Sequence, residues 1–367
     1  MTMEFPRNDF ITKAKKAGHS ADFIKATLRY ADSLDEKGLP VIFDRNHLAF
    51  LLMMDIQELL CFVRESSCFY KYFAIKKKRG GLRRIIAPYS NLRKIQVWIK
   101  ECILDKIEQP YYVTAFAKNR NTLKNARIHE DKKYILKFDI ADFFESICFK
   151  QVNSAFCNMG YLPEVSSCLA RLCTSKIDEY KYSQLEEQKD IQALFDDLKT
   201  KNEAFLIQGA PTSPALANIV CYRMDRRIIG LSKGIKFNYS RYADDMTFSA
   251  DRLSDLPKVG MIRRIVESEG FHLNDQKTQL LHVGKRQIVT GLLVDGHVRV
   301  PGRYKKDIWR HIHFCLKYGG RDHFNRIAPG LAYGKEWIEG RIRYVHSVEP
   351  DVAKKMWVEF EKIDWGY

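Results

Sequence analysis

The sequence predicts an α+β protein in which antiparallel hairpins stand among amphipathic helices. Three observations lead there. Residues 72–88 read as two strands around Gly80-Gly81, a pair suited to a tight turn. Phe237, Tyr239 and Tyr242 precede Ala243-Asp244-Asp245, and Met246, Thr247 and Phe248 follow it. Most of these flanking types suit strands, so the stretch reads as a hairpin with carboxylates at its tip. Elsewhere apolar residues recur at helical spacing, as in Leu48, Leu51, Leu52, Ile56, Leu59 and Leu60.

The elements follow in order. Ser20 can cap a helix that runs toward Glu36 and stops at Gly38-Leu39-Pro40. The Leu48–Leu60 stripe forms a second helix beginning near Asp44 or Asn46. The hairpin around Gly80 is cationic at its turn, and a helix carrying Ile95, Trp98, Ile99, Ile103 and Ile107 comes next. Tyr134–Ile140 is an apolar strand that ends at an acid, Asp139. Residues 148–205 are helical with a polar insertion, in which Ile191, Leu194, Phe195 and Leu198 mark one packed face. Gln208-Gly209-Ala210-Pro211-Thr212-Ser213-Pro214 is a cluster of breakers that opens a helix. A helix over Lys258–Glu269 ends at Gly270, and Lys277 lies in a short polar strand or turn. Gln287–Val294 reads as one strand, joined to the next by Asp295-Gly296. The last 65 residues of the chain are helical, with Ile308, Ile312 and Leu316 on one stripe and Ile338, Ile342 and Val345 on another.

Composition narrows the partners. The 367 residues are 46% hydrophobic, enough for two or three subdomains. Lys plus Arg is 61 and Asp plus Glu is 45, a net charge of +16 that suits a polyanion, usually nucleic acid. From Lys71 to Lys100 there are ten basic residues and no acidic one. From Lys285 onward there are sixteen basic and ten acidic, a local +6. The nine cysteines form no CxxC pair. Cys61, Cys102 and Cys221 sit among apolar neighbours, which implies reduced core thiols in a cytoplasmic protein. Met1-Thr2-Met3-Glu4 opens no signal-peptide apolar region, and no apolar run reaches the roughly 20 residues that span a bilayer. No membrane partner is expected.

Asp139 and Asp244 are 105 positions apart, yet both fall at predicted strand tips. If the strands are neighbours, Asp139, Asp244 and Asp245 converge. Three carboxylates at one edge can hold two Mg²⁺ ions for in-line phosphoryl transfer.

Phe138-Asp139-Ile140-Ala141-Asp142-Phe143-Phe144-Glu145, then Gln208-Gly209-Ala210-Pro211-Thr212-Ser213-Pro214, then Tyr242-Ala243-Asp244-Asp245 resemble motifs A, B and C of reverse transcriptases, in that order. Gly270–Lys277 resembles motif D, and Gly80-Gly81-Leu82-Arg83-Arg84-Ile85 resembles the fingers hairpin of the bacterial enzymes. Asn125-Ala126-Arg127-Ile128-His129 is similar to the NAxxH signature, and Val289-Thr290-Gly291 to the VTG triplet, of retron reverse transcriptases. Thr114-Ala115-Phe116 departs from the His-Gly-Phe common in related enzymes. The resemblance covers residue 47 to the C-terminus.

It implies a right-hand polymerase: an N-terminal helical extension over 1–69, fingers over 70–137, a palm of antiparallel sheet and helices over 138–283 with a helical insertion at about 148–205, and an RNA-binding helical thumb over 284–367. Asp139, Asp244, Asp245 and the Ile140 carbonyl would bind the metals. Phe144 would be a steric gate against ribonucleotides. Gln208 and Gly209 would line the nucleotide pocket, with Arg83 and Lys76 or Lys77 on the triphosphate. Lys277 would be the general acid. Asn125 and His129 would orient template and primer or support the fingers–palm junction. Arg303, Tyr304, Lys305, Arg310, Arg341 and Arg343 would contact RNA. The implied activity copies a structured non-coding RNA, with dNTPs, into a branched RNA–DNA, in defence against phage beside an effector or toxin protein. Another defence-associated or group II intron-like enzyme, or a nucleic-acid-bound scaffold, remains open at this point.

Overall fold

Local capping chemistry sets the helical start of the chain. In the computed structural model, which describes residues 5–76, 80–185, 188–234, 236–327 and 334–366, Ser20 accepts from the Phe23 amide and begins the helix Ala21–Asp35. The Leu48–Leu60 stripe is two helices rather than one, Arg45–Leu51 and Ile56–Arg64. Asp44 caps the first and Asp55 the second, and Met53 turns between them at φ 54°. Asp55, an N-cap inside the apolar stripe, starts a new helix after the turn at Met53.

Strands β1 (Tyr70–Lys76) and β2 (Leu82–Pro88) pair antiparallel from Tyr70↔Pro88 to Lys76↔Leu82. They form the hairpin expected around Gly80-Gly81. The helix Ser90–Cys102 follows. Strand β3 (Tyr134–Asp139) comes next in the chain, then β4 (Thr174–Ser175) and β5 (Phe205–Leu206), which pair across the insertion. The expected single helix in the insertion is a run of short turns over Lys189–Gln192, Ala193–Phe195 and Asp196–Lys199. Its packed face holds: Phe195 and Leu198 are buried, and the Tyr72 ring lies 5.5 Å from Phe195.

Strands β6 (Asn238–Tyr242), β7 (Asp245–Ala250) and β8 (Gln279–His282) join β3 in a sheet of order β6-β7-β3-β8, antiparallel throughout. Phe138 pairs with Met246 and Leu136 with Phe248, all four buried in the main core. Lys137, Asp139, Asp245 and Thr247 therefore share the opposite face. A slip of one residue would drive both acids into that core, so burial of the aromatic face fixes the register of the carboxylates.

The expected strand Gln287–Val294 is a hairpin. Strands β9 (Ile288–Val289) and β10 (Leu292–Leu293) pair across Thr290 and Gly291, at φ 45° and 85°. Two positive φ values in a two-residue loop match the twist of the strands. The helices Gly302–Tyr318, Gly320–Ile327, Gly334–His346 and Pro350–Phe360 then build the thumb. Its separate core gathers Ile308, Ile312, Ile338, Ile342 and Val345, with Ala126 and Ile135 from earlier in the chain. Leu316, expected on that stripe, is 41% exposed, and Cys315 is buried instead. Cys61, expected in the core, is exposed, Cys102 is half-buried and Cys221 is buried, all as free thiols. Among the described residues no single helix is long and apolar enough to cross a membrane.

Candidate active site

One backbone bond and one from a side chain set the acidic tip. Tyr242 pairs with Asp245, leaving Ala243-Asp244 as the loop, with Ala243 at φ 57°. The Ile140 amide donates to the Asp244 carbonyl at 3.0 Å, and Arg241 donates to the Ala243 carbonyl at 3.2 Å. The loop is thus tied to the end of β3, where Asp139 lies directly across from Asp245.

The charges around these acids are unequal. Lys277 Nζ lies 2.8 Å from Asp139 Oδ1, and Lys137 Nζ lies 3.0 Å from Asp245 Oδ2. No ion pair among the described residues reaches Asp244. Burial, and then the charge of Asp139, raise its carboxyl above the usual carboxylate range, and Lys277 only partly offsets this. The donors are oxygens alone, the type that Mg²⁺ prefers, and the raised carboxyl marks negative charge with no full counterion. In this state no three His, Cys, Asp or Glu side chains among the described residues form a ready metal cage. Asp139 and Asp245 are each held by a lysine. The residues fit Mg²⁺ by donor type and charge, with the two ammonium groups standing where cations are wanted.

A cleft of about 570 Å³ gathers Arg83, Asp139, Phe144, Gln208, Asp244 and Lys277. Ile140 borders it as well. Gly209 is not among its lining residues. At φ 131° it passes so close to β2 that a Cβ would lie 2.5 Å from the Ile86 carbonyl, and the Ile86 amide donates to the Gln208 carbonyl at 3.1 Å. The close approach expected at Gly209 is thus between two stretches of this backbone. Lys76, at the end of β1, also falls outside the cleft lining, and Lys77 lies outside the described residues.

Arg84 is a residue that the sequence reading passed over. It donates to Asp197 at 2.7 Å and to the Leu194 carbonyl at 2.8 Å, and it reaches Glu145 at 3.3 Å and Asp142 at 3.4 Å. It fastens the fingers strand to the end of motif A and to the insertion. Two adjacent arginines on a strand were a signal that two directions are served.

Asn125 and His129 require a correction as nucleic-acid contacts. Both are buried, at 1% and 0% exposure. Asn125 accepts from Thr114 at 2.7 Å and Ser240 at 2.6 Å, and donates to Thr290 at 3.3 Å. His129 lies 2.7 Å from Ser240 through Nε2 and 2.8 Å from Ser249 through Nδ1. Ser240 gives its one proton to Asn125, so His129 must donate from Nε2 and accept at Nδ1. Burial pushes this imidazole down to about 3, which keeps it neutral. The two signatures form one structural unit, because Asn125 bonds Thr290 of the Val289-Thr290-Gly291 turn.

Of the basic residues expected on RNA, all but Arg303 are already engaged. Lys305 pairs with Glu349 at 2.8 Å, Arg310 with Asp307, and Arg343 with Glu339. Arg341 pairs with Asp307 at 2.7 Å and lies over the rings of Tyr304 and Trp337, at 4.5 and 4.4 Å. Arg303 is exposed and Tyr304 half-buried.

Residues 75–311 match the family described as reverse transcriptase (RNA-dependent DNA polymerase). The chain is 33% identical to the retron Mx65 reverse transcriptase of Myxococcus xanthus, over 80% of this chain and 64% of that one. It is 27% identical to the retron Ec86 reverse transcriptase of Escherichia coli, over 90% of this chain and 92% of that one. Against the retron Ec83 reverse transcriptase of Escherichia coli the identity is 33%, over 78% and 85%. A telomerase structure from Candida albicans superposes on 81% of this chain and 55% of that one, with a TM-score of 0.41 and 14% identity, too distant to bear on the argument.

Proposed function

The chain belongs to the reverse transcriptase family, as a retron-type RNA-directed DNA polymerase, and from that premise we propose that it copies a structured non-coding RNA into a covalently linked, branched RNA–DNA. The observation that carries this reading is the single cleft in which Asp139, Asp244, Lys277, Arg83, Phe144 and Gln208 meet. Asp139, Asp244, Asp245 and the Ile140 carbonyl would hold two Mg²⁺, which when bound activate the attacking hydroxyl and neutralise the leaving pyrophosphate.

The remaining roles belong to the chain itself. Arg83 would fork onto the triphosphate. Phe144 would crowd a ribose 2′-hydroxyl and favour dNTPs. Lys277 would give a proton to the pyrophosphate as it leaves, its ammonium already placed beside Asp139. The first acceptor would be the 2′-hydroxyl of an internal guanosine in the RNA. Exposed Arg303 and the aromatic surface of Tyr304 would meet RNA at the thumb, with Arg310, Arg341, Arg343 and Lys305 contributing where RNA displaces their acidic partners. The protein would act in the cytoplasm, in defence against phage beside an effector protein.

The test is to purify the full chain from cells that carry its neighbouring non-coding RNA and to sequence the bound nucleic acid. A short DNA joined to RNA through a 2′ branch is expected, with RNase removing the RNA down to a stub that stays on the DNA. A linear cDNA, or a templated repeat with no branch, would replace this reading with another template class.

A further inference from the structure

We propose that Phe116 is a specificity-determining residue of the polymerase, whose ring braces Phe144 so that the gate does not yield to a ribose 2′-hydroxyl. This rests on Phe144 being the gate. Phe116 has φ 56°, a left-handed backbone that a bulky residue rarely adopts. Such a conformation persists where its surroundings over-determine it. Here they do. The Thr114 amide donates to the Arg241 carbonyl at 2.9 Å, and Asn218 donates to the Ala115 carbonyl at 2.9 Å. Thr114 Oγ1 also meets buried Asn125 at 2.7 Å. Thr114 and Ala115 are buried, yet Phe116 is 46% exposed.

The side chain that this pinned backbone presents lines the nucleotide cleft together with Phe144. The two ring centroids are 6.3 Å apart at 43°. The other ring beside Phe144 is buried Phe143, at 5.4 Å. Phe144 itself is only half-buried. A steric gate discriminates only as far as it resists being pushed, and turning a side chain away from its rotamer costs little. A second ring, on a loop pinned at Thr114 and Ala115, supplies that resistance. The buried unit around Asn125 then acts on the site through Phe116.

The experiment uses the full chain extending an oligo(dG) primer on poly(rC), with dGTP against GTP, read as the ratio of their kcat/KM values. Phe144→Ala reports the gate and is expected to lower the ratio most. Phe116→Ala is expected to lower it roughly three- to tenfold, the scale of freeing one side chain from its rotamer. Phe116→Leu, which keeps bulk, should restore most of it. The double variant should be no less selective than Phe144→Ala alone, because the brace acts only through the gate. Additive losses would mean that Phe116 meets nucleotide or template directly, and would overturn the brace. So would an unchanged ratio in Phe116→Ala when Phe144→Ala changes. An unchanged ratio in Phe144→Ala removes gate and brace together. Phe116→Gly separates folding from selectivity: glycine relieves the backbone, so its melting temperature should match or exceed that of the wild type while selectivity falls. A melting temperature that falls in step with selectivity would make Phe116 a packing residue and end the proposal.

Discussion

The β6–β7 hairpin treats its polar residues in two opposite ways. In its body Arg241 is completely buried and donates to Asp225 at 2.8 Å, to Asn218 at 3.1 Å and to the Ala243 carbonyl. Ser240 and Ser249 are buried too, and both are satisfied by His129 or Asn125. At the tip, Asp244 sits beside Asp139 without an ion pair among the described residues, and its carboxyl is raised. Burying polar groups costs free energy unless each finds a partner, and the body obeys that rule. The tip differs in charge: Asp244 is half-buried and has no ion pair among the described residues. The buried body fixes the position of the tip, since Arg241 holds the loop that carries Asp244. The contrast is thus between polar groups paired for the fold and one acid, Asp244, without an ion pair among the described residues, which is what the proposed metal role asks of it.

Asp244→Asn should break the contrast at its sharpest point. Extension of a primer by this variant should fall by at least about a thousandfold, the scale of losing a metal-held phosphoryl-transfer centre. RNA retention on a filter should survive. The metal-free protein should respond in the opposite direction. A carboxyl whose folded pKa lies above its unfolded value near 4 stabilises the fold below that value, and the contribution is lost as pH rises through the folded pKa. At neutral pH the native state therefore carries a penalty that asparagine removes. In EDTA the variant should melt above the wild type, and Mg²⁺ should raise the wild-type melting temperature more than that of the variant. Equal melting in EDTA would remove the idea of an uncompensated site.

The satisfied end should fail differently. Arg241→Met leaves Asp225 buried without its cation, at a cost of about 3–5 kcal/mol in urea unfolding. The Tyr239 hydroxyl, 2.7 Å from Asp225, does not replace that charge. Its loss of polymerase activity should track the fraction unfolded. A variant that unfolds like the wild type would show that the pair is dispensable to the hairpin.

The difference between the two ends also explains what could be read ahead of the structure. The placement of Asp139, Asp244 and Asp245 at strand ends was legible because alternation and strand ends are local properties, and the cleft brings Asp139 and Asp244 together with Arg83, Gln208 and Lys277. For Asn125 and His129 two uses, orienting nucleic acid or supporting a junction, stayed open in the sequence because their partners are remote. Thr290 is 165 positions from Asn125, and Ser240 is 111 from His129. The same side chains serve equally well on RNA, and only burial decides between the two uses. Arg84 was hidden for the same reason, with partners 58 to 113 positions away. The turn at Thr290 was masked by a β-branched residue, which normally argues for extended chain.

The smallest expected effect tests whether the satisfied end is satisfied in one protonation state only. His129 stands near 6.5 in an unfolded chain and about 3 in the fold, so the native state binds fewer protons between those values. Stability from this group is complete above about 6.5 and declines as pH falls toward 3, by at most about 1.4 kcal/mol per unit. His129→Gln keeps an amide donor for Ser240 and a carbonyl acceptor for Ser249, but does not titrate. Urea unfolding between pH 6.5 and 5 should therefore lose stability more steeply in the wild type than in His129→Gln. Other histidines with lowered values, including His47 and His311, contribute equally to both proteins and cancel in the difference. Parallel slopes would mean that His129 can accept a proton in place, with Ser249 turning its hydroxyl to receive the new N–H. The hydrogen bonds that hold the hairpin body would then tolerate a charge, and the distinction between its two ends would be one of degree.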